Sequence, residues 1–395
     1  MVGTFQPTMS AQNIVLLGAT GSIGASTLSV VREHPDRFRV VGLAARSKVA
    51  EFCQLAREFP EARLALFDAS AAGQARKELG RPVFSGMEGL LELVWDDRAT
   101  TLVNGLVGSI GCRPTMEAIR RGMRVCLANK ETLVMAGELI NQLLDEHPES
   151  SLVPIDSEHS ALHQCLGGRP PEEVERLVLT ASGGPFRDLP ACEFQDITLE
   201  RALKHPTWTM GPKITVDSST LFNKGLEVIE AHHLFRIGYD QIEVLVHPGS
   251  HVHSLVQFRD GALMAQLGTP DMRLPILYSL VAPQRVSLSG DRLDLALVGE
   301  LRFQSPDHAR FPALGLAFAA GRAAGAVPAV LNAANEAAVA LFLDRRISYM
   351  DIARLVESCV TSADFSRHPD FEELLSADAW ARGRVCELAR AETVP

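Results

Sequence analysis

The sequence lacks several features that would place it in a specialised class of protein. It has no uninterrupted run of about 18 apolar residues, the length that a membrane-spanning helix needs, and its start lacks the basic and apolar segments of a secretory signal. Its seven cysteines include no Cys-x-x-Cys pair, which favours free thiols over a disulfide scaffold. Basic residues do not predominate, because 38 Lys and Arg stand against 48 Asp and Glu. We therefore expect a soluble, cytoplasmic protein that binds neither nucleic acid nor a membrane.

What is present is the composition and patterning of an ordinary globular chain. Hydrophobic residues make up 46% of the 395 positions and charged residues 22%, as in chains that fold around a core. Short apolar runs alternate with amphipathic segments in the first part of the chain, which predicts βαβ units and a parallel sheet. We predict an α/β domain at 1–150, an α+β domain at 151–285 with a flexible polar loop at about 183–212, a connector at 286–311 and a C-terminal α-helical bundle at 312–395.

A glycine-rich turn follows the first predicted strand. The apolar run 14–17 leads directly into Gly-Ala-Thr-Gly-Ser-Ile-Gly at 18–24, and a helical pattern comes next. Glycines in such a turn let the backbone approach a pyrophosphate, whose charge is favoured at the helix N-terminus. This context predicts a Rossmann-like dinucleotide-binding domain, and the alternative is a tight turn without a ligand.

The residues after the second predicted strand indicate which dinucleotide binds. Arg46, Ser47 and Lys48 follow the run 38–45. A carboxylate at this position would bind the ribose 2′-hydroxyl of NAD, whereas two cations and a hydroxyl suit the 2′-phosphate of NADP. The sequence therefore favours NADP, and the alternative is an ordinary solvated loop.

Two acidic residues end a later predicted strand. Asp156 and Glu158 follow the apolar run 152–155, and on an extended chain their side chains point to the same face. Adjacent carboxylates repel each other, so they need a cation or a shared proton. Mg²⁺ accepts such oxygen ligands and completes its shell with water or substrate. We predict a divalent metal site here, and the alternative is two surface acids at a strand end.

A polar segment at 218–230 supplies companions for that pair. If the segment is helical, Asn223, Glu227 and Glu230 lie on one face, and Glu227 is positioned as a third metal carboxylate. Ser218, Asn223 and Lys224 would lie near the helix start, where hydroxyl, amide and ammonium groups can hold a phosphate. A solvated helix face is the alternative, but it does not explain the apolar residues between the charged ones.

Lys130 lies between Asn129 and Glu131, directly after the predicted strand 124–128. The carboxyl ends of strands in open α/β sheets are where ligands bind. Lys130 is therefore a candidate for polarising a substrate oxygen.

The histidines are mostly interpreted as structural. His232, His233, His251 and His253 have no cysteine at metal-ligand spacing to complete a tetrahedral site. His205, which lies in the polar loop close to Trp208, is the better functional candidate, because an imidazole and an indole on a loop suit closure over a substrate.

Together these motifs resemble the 1-deoxy-D-xylulose 5-phosphate reductoisomerase family, and the resemblance extends through essentially the whole chain. The motifs that carry it are GATGSIG (18–24), LANKE (127–131), PIDSEHSA (154–161), LTASGGPF (179–186), HPTWTMGPKITVDSSTLFNKGLEVIEA (205–231) and HPGSHVHS…LGTPDMRLPI (247–276). The resemblance implies a homodimeric, NADPH- and Mg²⁺- or Mn²⁺-dependent enzyme. It would isomerise and then reduce a small phosphorylated sugar, 1-deoxy-D-xylulose 5-phosphate, to 2-C-methyl-D-erythritol 4-phosphate in non-mevalonate isoprenoid precursor biosynthesis.

The resemblance also implies roles for residues at the matching positions. It assigns NADPH contacts to the turn that begins at Gly18 and to a few further residues: Thr20, Gly21, Ser22, Ile23, Asn129, Glu131 and Gly211. It assigns the metal to Asp156, Glu158 and Glu227, and the phosphate to Ser182, Ser218, Asn223 and Lys224. Lys130, Ser157 and His205 are expected to meet the substrate, with Trp208 closing over it. The sequence departs from the family at Arg46-Ser47-Lys48, where the family usually has a small residue, a variable one and then Asn.

Two other classes of protein share part of this pattern. A different NADP-dependent dehydrogenase, such as a semialdehyde type, would share the N-terminal half but would not need the three carboxylates. A non-catalytic nucleotide sensor would keep the glycine turn and bind NADPH without turnover. The carboxylates, together with the predicted phosphate-binding helix, disfavour both.

We predict that the protein prefers NADPH to NADH, because Arg46 and Lys48 can pair with the 2′-phosphate that only NADPH carries. The measurement is kcat/KM with each cofactor in turn. Equal values would contradict the interpretation of these two cations.

Overall fold

The computed structural model describes residues 11–204 and 210–391, which divide into two compact units. The described part of the first unit comprises residues 11–128, 143–155 and 272–289. The second unit comprises residues 129–142, 156–204, 210–271 and 290–391. The domain boundaries near residues 150, 285 and 311 stay a prediction.

A parallel sheet of seven strands forms the centre of the first unit. Numbered in chain order, the strands are β1 Gln12–Leu17, β2 Phe38–Ala45, β3 Arg63–Leu66, β4 Phe84–Ser85, β5 Thr101–Asn104, β6 Arg124–Leu127 and β7 Ser151–Pro154. They lie in the order β4-β3-β2-β1-β5-β6-β7, and each neighbouring pair is parallel. The strand order reverses beside β1, as in doubly wound nucleotide-binding folds. The predicted Rossmann-like sheet is confirmed.

Helices cover both faces of this sheet. The helices of this unit are α1 Ser22–Glu33, α2 Val49–Glu58, α3 Ala69–Leu79, α4 Gly86–Val94, α5 Cys112–Arg120 and α11 Arg273–Val281, and the helix α6 Lys130–Glu146 belongs mostly to the second unit. Ile14, Val15, Leu16 and Leu17 are all fully buried, although successive side chains of a strand face opposite sides. Burial on both faces explains why β1 is a continuous apolar run rather than an alternating one.

The glycine-rich turn between β1 and α1 depends on a close backbone approach. A Cβ atom on Gly24 would lie 2.4 Å from the Gly18 carbonyl oxygen and 2.5 Å from that of Ala19. Only glycine therefore fits at this position without moving the turn. The first turn of α1 therefore packs directly against the backbone of Gly18 and Ala19.

The second unit contains a mixed sheet of four strands. The strands are β8 Val174–Ala181, β9 Ile242–Val246, β10 Val252–Phe258 and β11 Leu263–Leu267. They lie in the order β11-β10-β8-β9, in which β8 and β9 are parallel and β10 runs antiparallel to β8 and β11. The strand-like apolar runs 176–180, 242–247, 253–258 and 263–267 of the sequence correspond to these four strands within two residues at each end.

Helices make up most of the rest of the second unit. They are α7 Ser157–Leu166, α8 Leu199–Ala202, α9 Pro212–Thr220, α10 Phe222–Phe235, α12 Leu295–Val298, α13 Pro312–Ala323, α14 Val327–Leu343, α15 Tyr349–Thr361 and α16 Phe371–Ala391. Helix α14 packs against both α15 and α16, which confirms the predicted C-terminal helical bundle. None of the helices in the described part of the chain is both long enough and apolar enough for a membrane span.

The structure differs from the sequence interpretation in one segment and adds detail to another. The described part of the polar stretch 183–212 contains a 3₁₀ helix, Ala191–Asp196, and the short helix α8, while the flexibility of this stretch stays a prediction. The segment 218–230 is not one helix but two, because Leu221 adopts a left-handed φ of 63°. The Thr220 hydroxyl bonds back to the carbonyls of Val216 and Asp217 and accepts from the Phe222 amide, which ends α9 there.

We predict that Gly24→Ala lowers the free energy of unfolding by about 2 kcal/mol, because the added methyl group overlaps backbone atoms that cannot move aside independently. Thermal or urea unfolding measures the change. Gly73→Ala is the matched control, since Gly73 lies within helix α3 and a Cβ there meets nothing within 4 Å. That control should be neutral or slightly stabilising. Equal stability of the two variants would contradict the account of the turn.

Candidate active site

Three carboxylates of the second unit converge near the starts of two helices. Asp156 directly precedes α7, Glu158 lies in the first turn of α7, and Glu227 lies in the second turn of α10. One oxygen atom of each carboxylate lies within 4.8 Å of the other two. Carboxylates at this spacing repel one another unless cations balance them.

Two lysines provide that balance. The Lys130 ammonium lies 2.8 Å from Asp156 Oδ2 and 2.8 Å from Glu227 Oε1, and it donates to Asn223 Oδ1 at 2.9 Å. The Lys224 ammonium lies 2.8 Å from Glu158 Oε1 and also contacts Glu227. Both lysines are buried, so their charges are screened little by water.

Helix capping, and not an extended chain, brings Asp156 and Glu158 together. The sequence interpretation placed both on one strand, but β7 ends at Pro154 and α7 begins at Ser157. Asp156 is the N-cap of α7, and its Oδ1 accepts a hydrogen bond from the Glu158 amide at 3.2 Å. The N-terminus of a helix favours negative charge, so both carboxylates lie where the helix dipole stabilises them.

The predicted spacing on α10 is confirmed for Asn223 and Glu227, which are four residues apart on one helix and hydrogen-bonded to each other. Lys224, Glu227 and Glu230 are buried, at 3%, 1% and 0% exposure. A solvated helix face is therefore excluded, because buried charged side chains need specific partners.

Burial and neighbouring charges shift the pKa values of Glu158 and Asp156 in opposite directions. Burial raises the pKa of Glu158 to about 7, and Glu227 and Asp156 add to this effect while Lys224 opposes it. Burial also works against ionised Asp156, but Lys130 and His159 outweigh it and hold the pKa of Asp156 well below its usual value. Three oxygen donors, one of which titrates near neutral pH, fit a hard divalent cation such as Mg²⁺ or Mn²⁺.

His159 is a residue beside the triad that the sequence interpretation missed, and it contacts Glu230, which was predicted only to share a helix face with Glu227. His159 Nδ1 lies 3.3 Å from Asp156 Oδ1 and 3.3 Å from Glu230 Oε2, and its Nε2 lies 2.8 Å from the main-chain oxygen of Glu227. Asp156, His159 and Glu230 could also surround a metal, but His159 and Glu230 are fully buried and leave no side open to a substrate. The spacing of three residues between Asp156 and His159 on one helix is the signal that could have found the histidine.

The predicted phosphate ligands come from three segments. Ser182 follows β8, and its hydroxyl accepts a hydrogen bond from the Gly184 amide at 3.2 Å. A Cβ atom on Gly184, which has a φ of +67°, would lie 2.8 Å from the Ser218 carbonyl oxygen, so these two segments touch. Ser218 lies in the last turn of α9, whereas the sequence placed it near a helix start. Asn223 and Lys224 lie in the first turn of α10, beside the carboxylates.

The predicted cofactor residues lie in both units. Gly18, Thr20, Gly21, Ser22 and Ile23 form the turn between β1 and α1 in the first unit. Arg46, Ser47 and Lys48 follow β2, which pairs with β1, and all three are exposed.

Three more of the predicted cofactor residues lie in the second unit. Asn129 and Glu131 are buried, and the Asn129 amide donates to Glu131 Oε2 at 2.9 Å. Gly211 is the N-cap of α9.

The remaining predictions concern other polar residues. The Ser157 hydroxyl donates to Glu158, next to the triad. His205 and Trp208 lie outside the described residues. His232 stacks on Tyr239 with ring centroids 4.2 Å apart. Among the described residues, the groups of side chains that could hold a metal ion do not include the histidines at 232, 233, 251 and 253.

Family models match the chain in three consecutive parts. The model described as 1-deoxy-D-xylulose 5-phosphate reductoisomerase matches residues 14–137, the model of its C-terminal domain matches residues 152–235, and a model described as DXP reductoisomerase C-terminal domain matches residues 267–384. The chain belongs to the 1-deoxy-D-xylulose 5-phosphate reductoisomerase family. The resemblance found in the sequence is confirmed.

Individual reductoisomerases are similar over nearly the full length. The protein from Synechococcus sp. (strain JA-2-3B'a(2-13)) is 50% identical over 96% of this chain and 98% of its own, and that from Chlorobium chlorochromatii (strain CaD3) is 51% identical over 93% and 97%. The structure of the Zymomonas mobilis reductoisomerase in complex with NADPH has a TM-score of 0.90 at 40% identity, covering 96% of this chain and 99% of that one. A reductoisomerase structure with NADPH, fosmidomycin and magnesium has a TM-score of 0.92 at 38% identity, covering 97% and 99%.

We predict that Glu227→Gln weakens Mn²⁺ binding and raises the activation barrier by about 3 kcal/mol, because one of three anionic oxygen donors is lost while the helix stays. Calorimetry measures the metal affinity, and turnover is measured at saturating metal. Glu243→Gln is the control, since Glu243 pairs with Arg176 at an exposed site on β9. Unchanged turnover of Glu227→Gln at saturating Mg²⁺ would rule out the ligand assignment.

Proposed function

We propose that this protein converts 1-deoxy-D-xylulose 5-phosphate to 2-C-methyl-D-erythritol 4-phosphate, by isomerisation followed by reduction with NADPH, in the presence of Mg²⁺ or Mn²⁺. The observation that carries the proposal is the largely buried triad Asp156, Glu158 and Glu227 with its two lysines. It occurs in a chain that matches reductoisomerases from end to end. Another NADP-dependent dehydrogenase or a nucleotide sensor would have no use for that triad.

The triad would hold the divalent cation, with Asp156, Glu158 and Glu227 each supplying one oxygen. A bound cation supplies Lewis-acid polarisation of the substrate's carbonyl and hydroxyl oxygens, and bound NADPH supplies the hydride. Burial works against the Lys130 ammonium, but Asp156, Glu227 and Glu230 outweigh it and raise the pKa of Lys130 well above its usual value. Lys130 would thus stay a cation, and its charge would stabilise a nearby substrate oxygen as negative charge develops there, while its three N–H donors remain on Asp156, Asn223 and Glu227.

The substrate phosphate would be held by Ser182, Ser218, Asn223 and Lys224, next to the metal triad. Hydroxyl, amide and ammonium groups together provide the donors that a phosphate accepts. Ser157, adjacent to two metal ligands, would bind a substrate hydroxyl. His205 and Trp208 would cover the bound substrate, so that binding energy from the remote phosphate serves to exclude water.

The nicotinamide cofactor would be bound by the turn Gly18–Ile23, with the 2′-phosphate at Arg46, Ser47 and Lys48. Exposure of these three side chains supports contact with an external anion. Asn129, Glu131 and Gly211 would complete the cofactor contacts.

A homodimer is also proposed, on the evidence of the edge strand β11. Leu263 and Met264 on this strand are 57% and 43% exposed, and among the described residues β11 pairs with a strand on one side only. An exposed apolar edge strand is an aggregation hazard unless another chain covers it, and a second copy does so symmetrically. Light scattering coupled to size-exclusion chromatography should give about twice the chain mass of 42.9 kDa, and Leu263→Lys should reduce it.

All seven cysteines are free thiols, which supports the predicted cytoplasmic location.

The decisive experiment follows the absorbance of NADPH on addition of 1-deoxy-D-xylulose 5-phosphate, with Mg²⁺ and then with excess EDTA. We expect oxidation of NADPH that requires both the sugar phosphate and the metal. No oxidation by folded protein that binds NADPH would refute the proposed reaction and leave only the nucleotide-binding domain.

A further inference from the structure

Side chains of two C-terminal helices, α14 and α15, form hydrogen bonds with the two residues that flank Ser218. On α14, the fully buried Asn335 donates from Nδ2 to Asp217 Oδ1 at 2.8 Å, and the second oxygen of Asp217 pairs with Lys213 at 2.8 Å. On α15, the Tyr349 hydroxyl donates to the Ser219 carbonyl at 2.8 Å. The residues on both sides of Ser218 are therefore fixed by side chains from elsewhere in the unit.

This turn needs external support because a helix ends in it. The last carbonyls of a helix lack partners within the helix, and α9 ends at Thr220, immediately before the left-handed Leu221. The Tyr349 hydroxyl satisfies the Ser219 carbonyl, one of these terminal groups. Asn335 and Lys213 together satisfy both oxygens of the buried Asp217 carboxylate.

The same support reaches the second predicted phosphate segment. The Tyr349 ring packs against Phe186 in an edge-to-face arrangement with centroids 5.3 Å apart, and Phe186 lies four residues after Ser182. Tyr349 is itself fixed at the start of α15 by a capping box between Ser348 and Asp351. One side chain thus contacts both segments that contribute a serine to the predicted phosphate site.

We propose that Asn335, together with Tyr349, is a positioning residue for substrate phosphate, acting through Asp217 and Ser219 on the orientation of Ser218. This inference rests on the proposed function, which assigns the phosphate to Ser182, Ser218, Asn223 and Lys224. It gives the C-terminal helices a part in substrate affinity, although neither Asn335 nor Tyr349 belongs to the predicted contact residues.

The test compares two buried asparagines of one helix. Asn335→Ala removes the donor to Asp217. Asn332→Ala is the matched control, because Asn332 is also fully buried on α14 but donates to Glu336 Oε1 at 3.1 Å. We measure the KM for 1-deoxy-D-xylulose 5-phosphate, kcat, the Kd of inorganic phosphate by calorimetry, the Kd of NADPH and the melting temperature.

In Asn335→Ala we expect the KM for the sugar phosphate and the Kd of inorganic phosphate to rise together by about three- to tenfold, since one buried hydrogen bond is lost. The Kd of NADPH should stay the same, and Asn332→Ala of comparable melting temperature should keep wild-type values. Tyr349→Phe, which keeps the ring and removes only the hydroxyl, should shift the same two constants in the same direction and serves if Asn335→Ala does not fold.

Equal phosphate affinity in the Asn335 and Asn332 variants, or losses that only follow the melting temperature, would overturn the positioning role. The wild-type measurements separate this failure from that of the proposed function. Wild-type protein that binds phosphate but does not oxidise NADPH would refute the reaction, while the phosphate affinities of the variants would still decide the role of Asn335.

Discussion

The charge balance between two buried lysines and three largely buried carboxylates is the constraint on which the site depends. Glu227 contacts both Lys130 and Lys224, so one carboxylate links the two halves of the cluster. Removing water strengthens the attraction within these pairs but makes any unpaired charge costly. Each helix that contributes a lysine or a carboxylate must therefore keep that side chain within hydrogen-bonding distance of its partners. This requirement explains why the members of the cluster lie within helices or at helix starts.

Helix starts supply most of the members of this cluster. Lys130 begins α6, Asp156 caps α7, and Asn223 and Lys224 lie in the first turn of α10. The first amide groups of a helix have no partner within the helix and favour negative charge, which suits the carboxylates at these positions. The left-handed Leu221 is what gives α10 a start of its own, because without it α9 would continue and carry Asn223 deep into a helix. A local break in the backbone thus contributes directly to the chemistry of the site.

Much of the first unit could be predicted because its strands are short apolar runs separated by amphipathic helices. The two-residue strand β4 was missed, since Phe84–Ser85 is too short to show any periodicity. In the candidate site, the three carboxylates predicted to bind a metal are neighbours, but the reason given for the proximity of Asp156 and Glu158 was wrong. An acidic residue that follows an apolar run can either end a strand or cap the next helix. The sequence pattern does not distinguish the two cases until the helix that follows is recognised. The position of Ser218 at a helix end, and not at a helix start, was also missed. The end of α9 depends on side-chain hydrogen bonds of Thr220, which the sequence pattern does not reveal.

The sequence by itself determined which functional groups are available to this protein. They are a turn whose close backbone approach requires glycine, three carboxylates, and a serine, an asparagine and a lysine of the kind that can bind phosphate. Motifs report such features because their members lie within a few residues of one another, where covalent geometry limits the arrangement. Only the tertiary structure decided which charges meet. Lys130 and Glu227 are 97 residues apart, Asn335 and Asp217 are 118 apart, and His159 contacts Glu230 on another helix. Pairings at such separations depend on how the helices pack, and a pattern of a few residues carries no information about that packing.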